Sequence, residues 1–168
     1  FLSDSGIPGI CGLDTRMITK MLRTFGAMRG ILSTADMDDQ RLMMKVKGSP
    51  EMTGLDLTRV VSCKEPYTWD DVDKTPFMLK PLTNGSTNGK RFKVVAYDCG
   101  IKQNIMRRLT SYGCDVTVVP ALHPAEEVLG MNPDGIFVSN GPGDPAAVKK
   151  AIENLKMLIG KKPIFGIC

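Results

Sequence analysis

The stretch from residue 92 to residue 168, FKVVAYDCGIKQNIMRRLTSYGCDVTVVPALHPAEEVLGMNPDGIFVSNGPGDPAAVKKAIENLKMLIGKKPIFGIC, decides the fold of this chain. It contains short apolar runs, rich in Val, Ile and Phe, that are typical of β-strands. Four such runs occur, at residues 92–97, 116–119, 135–139 and 163–167. Because each run is continuously apolar, we expect both faces of each strand to be covered.

Helical segments separate these strands. In the first, apolar residues recur at helical spacing from Ile101 to Tyr112, and Gly113 ends the helix. A short helix begins at Pro124, and a longer one covers about residues 148–159. The alternation of strand and helix predicts an α/β fold, with a parallel sheet and helices on both of its faces.

The N-terminal zone, residues 1–62, carries two further helical patterns. Asp14 or Thr15 can cap the first helix, and Gly26 ends it. A second, weaker helix covers about residues 38–47. This zone has few large apolar residues, so we expect it to depend on additional chain for its core.

The zone from residue 63 to residue 91 is predicted to be a linker. It is rich in proline and contains the turn-forming stretch TNGSTNG at residues 83–89. Its flanks do not alternate as a hairpin requires, which favours a solvated connector. We therefore divide the chain into an N-terminal part (1–62), a linker (63–91) and an α/β part (92–168).

Composition excludes several classes of protein. The 168 residues are 42% hydrophobic and 24% charged, with a net charge of +4 that is spread evenly, so we expect no nucleic-acid partner. The apolar runs are too short to cross a bilayer. The five cysteines form no CxxC pair and His123 is the only histidine, so we expect a reducing compartment and no metal site.

Both ends of the sequence indicate a piece of a longer chain. The sequence begins with Phe1 rather than with methionine, and it closes on Ile167 and Cys168, at the end of an apolar strand. We expect a further element to cover that strand.

Two candidate sites follow from the rule that ligands bind beyond the carboxyl ends of parallel strands. The first is the loop SNGPGDP at residues 139–145, where Gly141 and Gly143 let the backbone approach a ligand. Its exposed N–H groups can hold a carboxylate or an oxyanion. The alternative is a tight strand-to-helix turn that Asp144 caps. The loop lacks the Gly-Lys-Ser/Thr ending of a phosphate-binding loop.

The second candidate is Cys168, at the end of the stretch FGIC. A nucleophile elbow presents its nucleophile at a sharp turn after a strand, between small residues, and Gly166 matches the first half of that pattern. The thiolate is the reactive form of cysteine, and the N-terminus of a following helix lowers the thiol pKa. The alternative is a small buried hydrophobic residue.

Other candidates have weaker support. Cys99 has no neighbouring base and favours a core or turn role, and His123 favours a helix cap or a solvated position. Asp98 ends a strand as the aspartate of a phospho-acceptor domain does, but the acidic companions of such a magnesium site are missing. We interpret the remaining cysteines as structural; they are Cys11, Cys63 and Cys114.

Together, SNGPGDP after one strand and FGIC at the end of the next resemble the class I (triad) glutamine amidotransferases. The stretch VVAYDCGIKQNIMRRL (94–109) resembles the start of that domain in the small subunits of carbamoyl-phosphate synthases. GLDTRMITKMLRTFGAMRG (12–30) is similar to the end of the N-terminal domain of the same subunits. The resemblance extends over nearly all of the chain, apart from about residues 73–91.

The resemblance implies a truncated three-layer parallel sheet of the class I glutaminase type, preceded by the end of the small-subunit N-terminal domain. It implies that Cys168 attacks the side-chain amide of glutamine and forms a γ-glutamyl thioester. It also implies that Gly141 and Gly143 belong to the glutamine-binding loop. The Gly143 N–H would form the oxyanion hole with the N–H of the residue after the nucleophile.

The resemblance further implies a partner, the large synthetase subunit, where ammonia reacts with bicarbonate that ATP activates in the presence of Mg²⁺. This chain itself would carry no cofactor, and the product would serve arginine and pyrimidine synthesis in the cytoplasm or, alternatively, the plastid stroma. The family's histidine base and its glutamate partner lie downstream of the nucleophile. We therefore expect this 168-residue piece to be inactive by itself.

Three alternatives stay open at the level of sequence. One is another triad glutaminase that feeds guanylate or anthranilate synthesis, which the leader stretch at residues 12–30 disfavours. A second is a non-catalytic binding or regulatory module, which the presence of Cys168 disfavours. The third is a flavodoxin-like or receiver domain, which the missing acidic cluster disfavours.

Overall fold

A computed structural model describes residues 1–75 and 89–168, which form two compact units, Phe1–Met52 and Thr53–Cys168. The predicted Asn84-Gly85 turn lies outside the described residues. Among the helices of those residues, none is long and apolar enough to cross a membrane.

The first unit contains two helices, α1 (Thr15–Phe25) and α2 (Asp39–Gly48), close to the predicted ranges. The Asp14 carboxylate accepts a hydrogen bond from the Met17 N–H at 2.9 Å, and Gly26 ends the helix with φ +81°, so both predicted end signals are confirmed. All of Phe1–Met52 is described, and none of its residues is buried.

The second unit is built on a five-stranded sheet with the order β1-β3-β2-β4-β5. Four strands are parallel to one another, as the sequence predicts, and β1 is antiparallel to β3. The strands are β1 (Tyr67–Trp69), β2 (Phe92–Asp98), β3 (Cys114–Pro120), β4 (Gly135–Val138) and β5 (Ile164–Gly166).

Helices cover both faces of this sheet. A single-turn helix, α3 (Thr58–Val61), precedes β1. The helix α4 (Gln103–Ser111) contributes to one core, with Met106 and Phe137 at its centre. On the other face, α5 (Ala125–Gly130) and α6 (Lys149–Leu158) pack against the second core. The predicted three-layer α/β architecture is therefore confirmed.

The structure departs from the sequence-based expectation between residues 63 and 75. The sequence predicts a solvated linker there, but β1 extends the sheet, and the division between the units lies at Met52 rather than at residue 62. The physical reason is that Tyr67 and Trp69 favour strand structure and Trp69 packs on the core beneath α4.

The last strand also departs from the expectation that both strand faces are covered. β5 is an edge strand, and Phe165 is 63% exposed although its ring centroid lies 5.9 Å from that of Phe137. The described helices cover the central strands, so β5 receives little cover from them.

Candidate active site

The carboxyl ends of β2, β3, β4 and β5 meet at one edge of the sheet, because these strands are parallel. A cavity of about 300 Å³ opens at this edge. Its walls include the loop at residues 139–143, apolar side chains of α6, and three residues from elsewhere in the unit, Thr58, Cys99 and Cys168. All three predicted site residues, Cys168, Gly141 and Gly143, therefore line the same cavity.

Close packing of the backbone explains both glycines. A Cβ atom at Gly141 would overlap the carbonyl oxygen of Cys99 and lie 2.9 Å from its Cβ. Gly143 has φ +89°, and a Cβ there would lie 2.6 Å from the carbonyl oxygen of Leu55. Only glycine fits either position without a backbone shift, so the loop passes close to two other segments of the chain.

Two polar side chains that the sequence did not single out fix the loop to the turn between β2 and α4. The Ser139 hydroxyl accepts a hydrogen bond from the Cys99 N–H at 2.9 Å and donates to the Asn140 carbonyl at 2.8 Å. The Asn140 side chain accepts from the Lys102 N–H at 3.3 Å and donates to the Gly100 carbonyl at 3.2 Å. These bonds give the loop a defined position before any ligand binds.

Asp98 is a structural residue of this edge. One of its carboxylate oxygens accepts hydrogen bonds from the N–H groups of Gly100 and Ile101, at 2.9 and 2.8 Å. The other accepts from the Cys63 N–H at 2.8 Å. The carboxylate is buried and engaged by three backbone donors, which explains its place at the strand end without a phospho-acceptor role.

Asp144 combines a cap with a long-range contact. One oxygen accepts a hydrogen bond from the Ala146 N–H at 2.9 Å, which is the capping role that the sequence offers as an alternative. The other accepts from the Gly54 N–H at 3.0 Å. These two donors, Gly54 first, lower the pKa of Asp144. Asp144 can therefore cap the turn at Pro145–Ala147 while the preceding glycine loop lines the cavity.

Cys168 follows β5 in a strained conformation. The Ile167 N–H donates to the Val138 carbonyl at 3.1 Å, which holds the chain beside β4 up to this point. Cys168 itself has φ +75°, in the left-handed region that a non-glycine residue rarely adopts. Its side chain is exposed. An exposed thiol two residues after a parallel strand, with a small residue at Gly166, matches the first half of a nucleophile elbow.

Three other thiols are disfavoured as nucleophiles. Cys99 lines the same cavity, but burial, followed by the charge of Asp98, raises its thiol pKa. Burial and Asp98 raise the pKa of Cys63 to about 11, and burial also raises the pKa of Cys114. A raised pKa reduces the thiolate fraction, so these three thiols fit structural roles. Cys11 is exposed in the first unit.

His123 is mostly buried rather than solvated or capping, which corrects the sequence-based expectation. Its side chain is 11% exposed, and its Nε2 lies 3.3 Å from a Glu127 carboxylate oxygen without forming a well-directed hydrogen bond. Its carbonyl accepts from the Tyr97 hydroxyl and the Asn154 amide, which fixes the turn between β3 and α5. His123 is not among the residues that line the cavity of Cys168.

The described residues contain no group of three or more His, Cys, Asp or Glu side chains placed to hold a metal ion. The lining of the cavity contains two thiols, the polar residues Thr58, Ser139 and Asn140, the glycine loop and an apolar wall.

Comparison with known proteins relates these features to a family. Residues 95–168 match the family described as glutamine amidotransferase class-I. The whole chain aligns with proteins named carbamoyl phosphate synthase small chain. It is 49% identical to that of Syntrophotalea carbinolica and 48% identical to that of Thermosynechococcus vestitus. It is 52% identical to a protein of Arabidopsis thaliana named carbamoyl phosphate synthase small chain, chloroplastic.

These alignments cover 100% of this chain, but the chain spans only 44%, 44% and 38% of the three relatives, in the same order. The family match begins in β2 and ends at Cys168, so it contains the glycine loop and the strained cysteine that line one cavity. Residues 95–168 are thus similar to class I glutamine amidotransferases, and the chain is similar along its whole length to part of the proteins named carbamoyl phosphate synthase small chain.

Proposed function

We propose that this chain is part of the glutaminase subunit of a carbamoyl phosphate synthase, which hydrolyses glutamine at Cys168 and supplies ammonia to a large synthetase subunit. The observation that carries the proposal is the meeting of Cys168, at a strained strand end, with the Gly141–Gly143 loop in one cavity. The names of the relatives, at 48–52% identity, support the choice of carbamoyl phosphate synthase among glutaminases.

In the proposed reaction the Cys168 sulfur attacks the side-chain amide carbon of glutamine. The C–N bond breaks, ammonia leaves with a proton, and a γ-glutamyl thioester remains. Water then attacks the thioester, which releases glutamate and restores the thiol. The Gly143 N–H would stabilise the oxyanion of each tetrahedral intermediate, together with the N–H of the residue after the nucleophile.

The cavity walls suit this substrate. Ala151, Ile152 and Leu155 of α6 form an apolar side that can contact the methylene groups of glutamine. The polar side is formed by the glycine loop, which Ser139 and Asn140 hold in place. The proton-transfer partner of the thiol would be the histidine–glutamate pair that the family places after the nucleophile.

The proposed partner is the large synthetase subunit, which would bind ATP and Mg²⁺ and combine ammonia with bicarbonate; this chain would hold no cofactor. Carbamoyl phosphate would then serve arginine and pyrimidine synthesis. We place the protein in the cytoplasm. The plastid stroma is the alternative, supported by the chloroplastic names of the plant relatives.

Replacement of the proposed nucleophile tests this function. In the complete gene product, assembled with its large subunit, Cys168→Ser should abolish glutamine-dependent carbamoyl phosphate synthesis and preserve synthesis from ammonia. The reason is that the serine hydroxyl is a far weaker nucleophile than a thiolate at neutral pH. Carbamoyl phosphate formation is measured with each nitrogen source in turn.

Cys114→Ser is the matched control, because Cys114 lies at the amino end of β3, away from the cavity. It should leave both reactions intact. Glutamine-dependent synthesis that survives Cys168→Ser would refute the proposed nucleophile. Loss of both reactions would instead indicate a structural role for Cys168 and favour a non-catalytic module.

A further inference from the structure

A segment outside the amidotransferase match crosses the carboxyl edge of the sheet. Residues 54–63, here called the strap, form hydrogen bonds with residues at the ends of three strands. The Ser62 hydroxyl accepts from the Ala121 N–H after β3 at 2.9 Å. The Cys63 N–H donates to Asp98 at the end of β2, at 2.8 Å, and the Gly54 N–H donates to Asp144, beyond β4, at 3.0 Å.

The strap has an ordered turn of its own. The Asp56 carboxylate accepts from the Thr58 N–H at 3.1 Å and from the Thr58 hydroxyl at 2.5 Å. Thr58 is buried and lines the cavity of Cys168. The strap is therefore a wall of the candidate active site, although it precedes the matched family region by more than 30 residues in sequence.

The strap packs closely against Gly143, the residue whose N–H would act as the oxyanion donor. The Asp144 N–H donates to the Leu55 carbonyl at 3.1 Å, next to the Asp144–Gly54 bond. A Cβ atom at Gly143 would lie 2.6 Å from that same carbonyl oxygen and 3.3 Å from the Leu57 nitrogen. The backbone of Gly143 is thus held between Asp144 and the strap, with little freedom to move.

We propose that Asp144 is a positioning residue, which ties the strap to the glycine loop and thereby fixes the orientation of the Gly143 N–H toward the reacting amide. This inference rests on the proposed glutaminase function. Its physical basis is that an oxyanion donor contributes only at hydrogen-bond distance, so displacement by about 1 Å costs on the order of a hundredfold in rate.

The test is Asp144→Ser in the complete gene product with its large subunit. Serine keeps an acceptor for the local cap at Ala146, but its side chain is too short to hold both donors, so the link to Gly54 is lost. We expect kcat with glutamine to fall by about tenfold or more, KM for glutamine to change by less than about threefold, and synthesis from ammonia to stay unchanged.

Asp134→Asn is the matched control. Asp134 accepts a hydrogen bond from the Lys93 N–H at 2.8 Å, so it also holds a backbone donor, but at the amino end of β4. Asp134→Asn should leave kcat with glutamine unchanged. If Asp144→Ser does not assemble, Asp144→Asn, which retains the size of the side chain and one of its two acceptors, takes its place and should show the same selective loss.

An unchanged kcat with glutamine in the Asp144 variant would overturn the inference. An equal fall in the glutamine-dependent and ammonia-dependent rates would also overturn it, because it would show that Asp144 has only a structural role. Cys168→Ser separates this failure from failure of the function itself. If Cys168→Ser abolishes the glutamine reaction while the Asp144 variant does not lower it, only the positioning role is refuted.

Discussion

The cysteines of the second unit differ mainly in their exposure to water. Cys168 is exposed at the end of β5, whereas Cys63, Cys99 and Cys114 are at least partly covered, and burial raises their pKa values. At pH 8 a thiol with a pKa of about 11 is ionised in only about one molecule in a thousand. The surroundings of each thiol therefore decide which one can react.

This difference predicts an order of alkylation. When the 168-residue chain is treated with iodoacetamide at pH 8, Cys168, which is exposed, should be modified first within the second unit, and Cys63 more slowly because burial raises its thiol pKa. Peptide mass spectrometry over time measures the rates. Unfolding in urea removes the burial and should bring the rates together. Modification of Cys63 or Cys99 as fast as Cys168 in the folded chain would contradict the expectation.

At the scale of residues, the sequence predicts site residues where neighbouring positions form a recognisable motif. Two short motifs at strand ends make Cys168, Gly141 and Gly143 candidates, the resemblance to class I glutamine amidotransferases implies their roles, and the structure places them around one cavity. The contacts of Ser139 and Asp144 were not predictable, because their partners Cys99 and Gly54 lie 40 and 90 positions away in sequence. No local pattern encodes such pairings.

At the scale of elements, continuous apolar runs predicted the parallel strands, and apolar residues at helical spacing predicted the longer helices. The four parallel strands and the helices α1, α2, α4, α5 and α6 were predicted close to their observed positions. β1 was missed because Tyr67–Trp69 contains no continuous apolar run, and because it forms by antiparallel pairing with β3, where Val118, the partner of Tyr67, lies 51 residues away in sequence.

The attachment of β1 to α4 depends on two carboxylates. Asp71 lies 2.7 Å from the Arg107 guanidinium, whose hydrogen bond lowers the pKa of Asp71. Asp73 accepts from the Thr75 N–H at 2.8 Å, and its carboxylate lies 2.7 Å from Arg108. The backbone bond from Thr75 is the largest cause of its lowered pKa. These contacts fix the segment that follows Trp69.

Acid should release this segment. Both folded-state pKa values lie below the ordinary value of 3.8, so the stabilisation is complete above that pH and is lost as pH falls through the lower folded-state values. Trp69 is the only tryptophan, its indole N–H donates to the Asp71 carbonyl at 2.9 Å, and Arg107 lies 5.8 Å from its ring centroid. Trp69 fluorescence should therefore change below about pH 4.

The double variant Asp71→Asn with Asp73→Asn should show at pH 7 the emission that the unaltered chain shows only in acid. Asp115→Asn is the control, because Asp115 pairs with Arg91 on an exposed surface at the amino end of β3. Emission that stays constant from pH 7 to pH 2, or a double variant indistinguishable from the control, would count against the attachment.

At the scale of the whole molecule, the two units differ in whether they contain a buried core. Thr53–Cys168 has a core on each face of its sheet, whereas no residue of Phe1–Met52 is buried, and α1 exposes Met17, Leu22 and Phe25. The predicted boundary at residue 62 differs from the observed division at Met52, because the strap bonds to the strand ends. Composition alone gave no indication of those bonds.

The proposed hydrolysis of glutamine at Cys168 needs a proton-transfer partner for the thiol. The cavity supplies a thiol and an ordered glycine loop, but a cysteine amidase also needs a base that accepts and returns the thiol proton. His123 is the only histidine of the sequence, and its ring lies beside Glu127 at the turn between β3 and α5, not among the residues that line the cavity.

We therefore expect the 168-residue chain to hydrolyse no glutamine above the rate of its Cys168→Ser variant. Glutamate release is measured with a coupled dehydrogenase assay. The complete gene product with its large subunit is the positive control. Glutamate release that depends on Cys168 in the 168-residue chain would show that a group within it serves as the base, and loss of that release in His123→Gln would then identify His123 as that group.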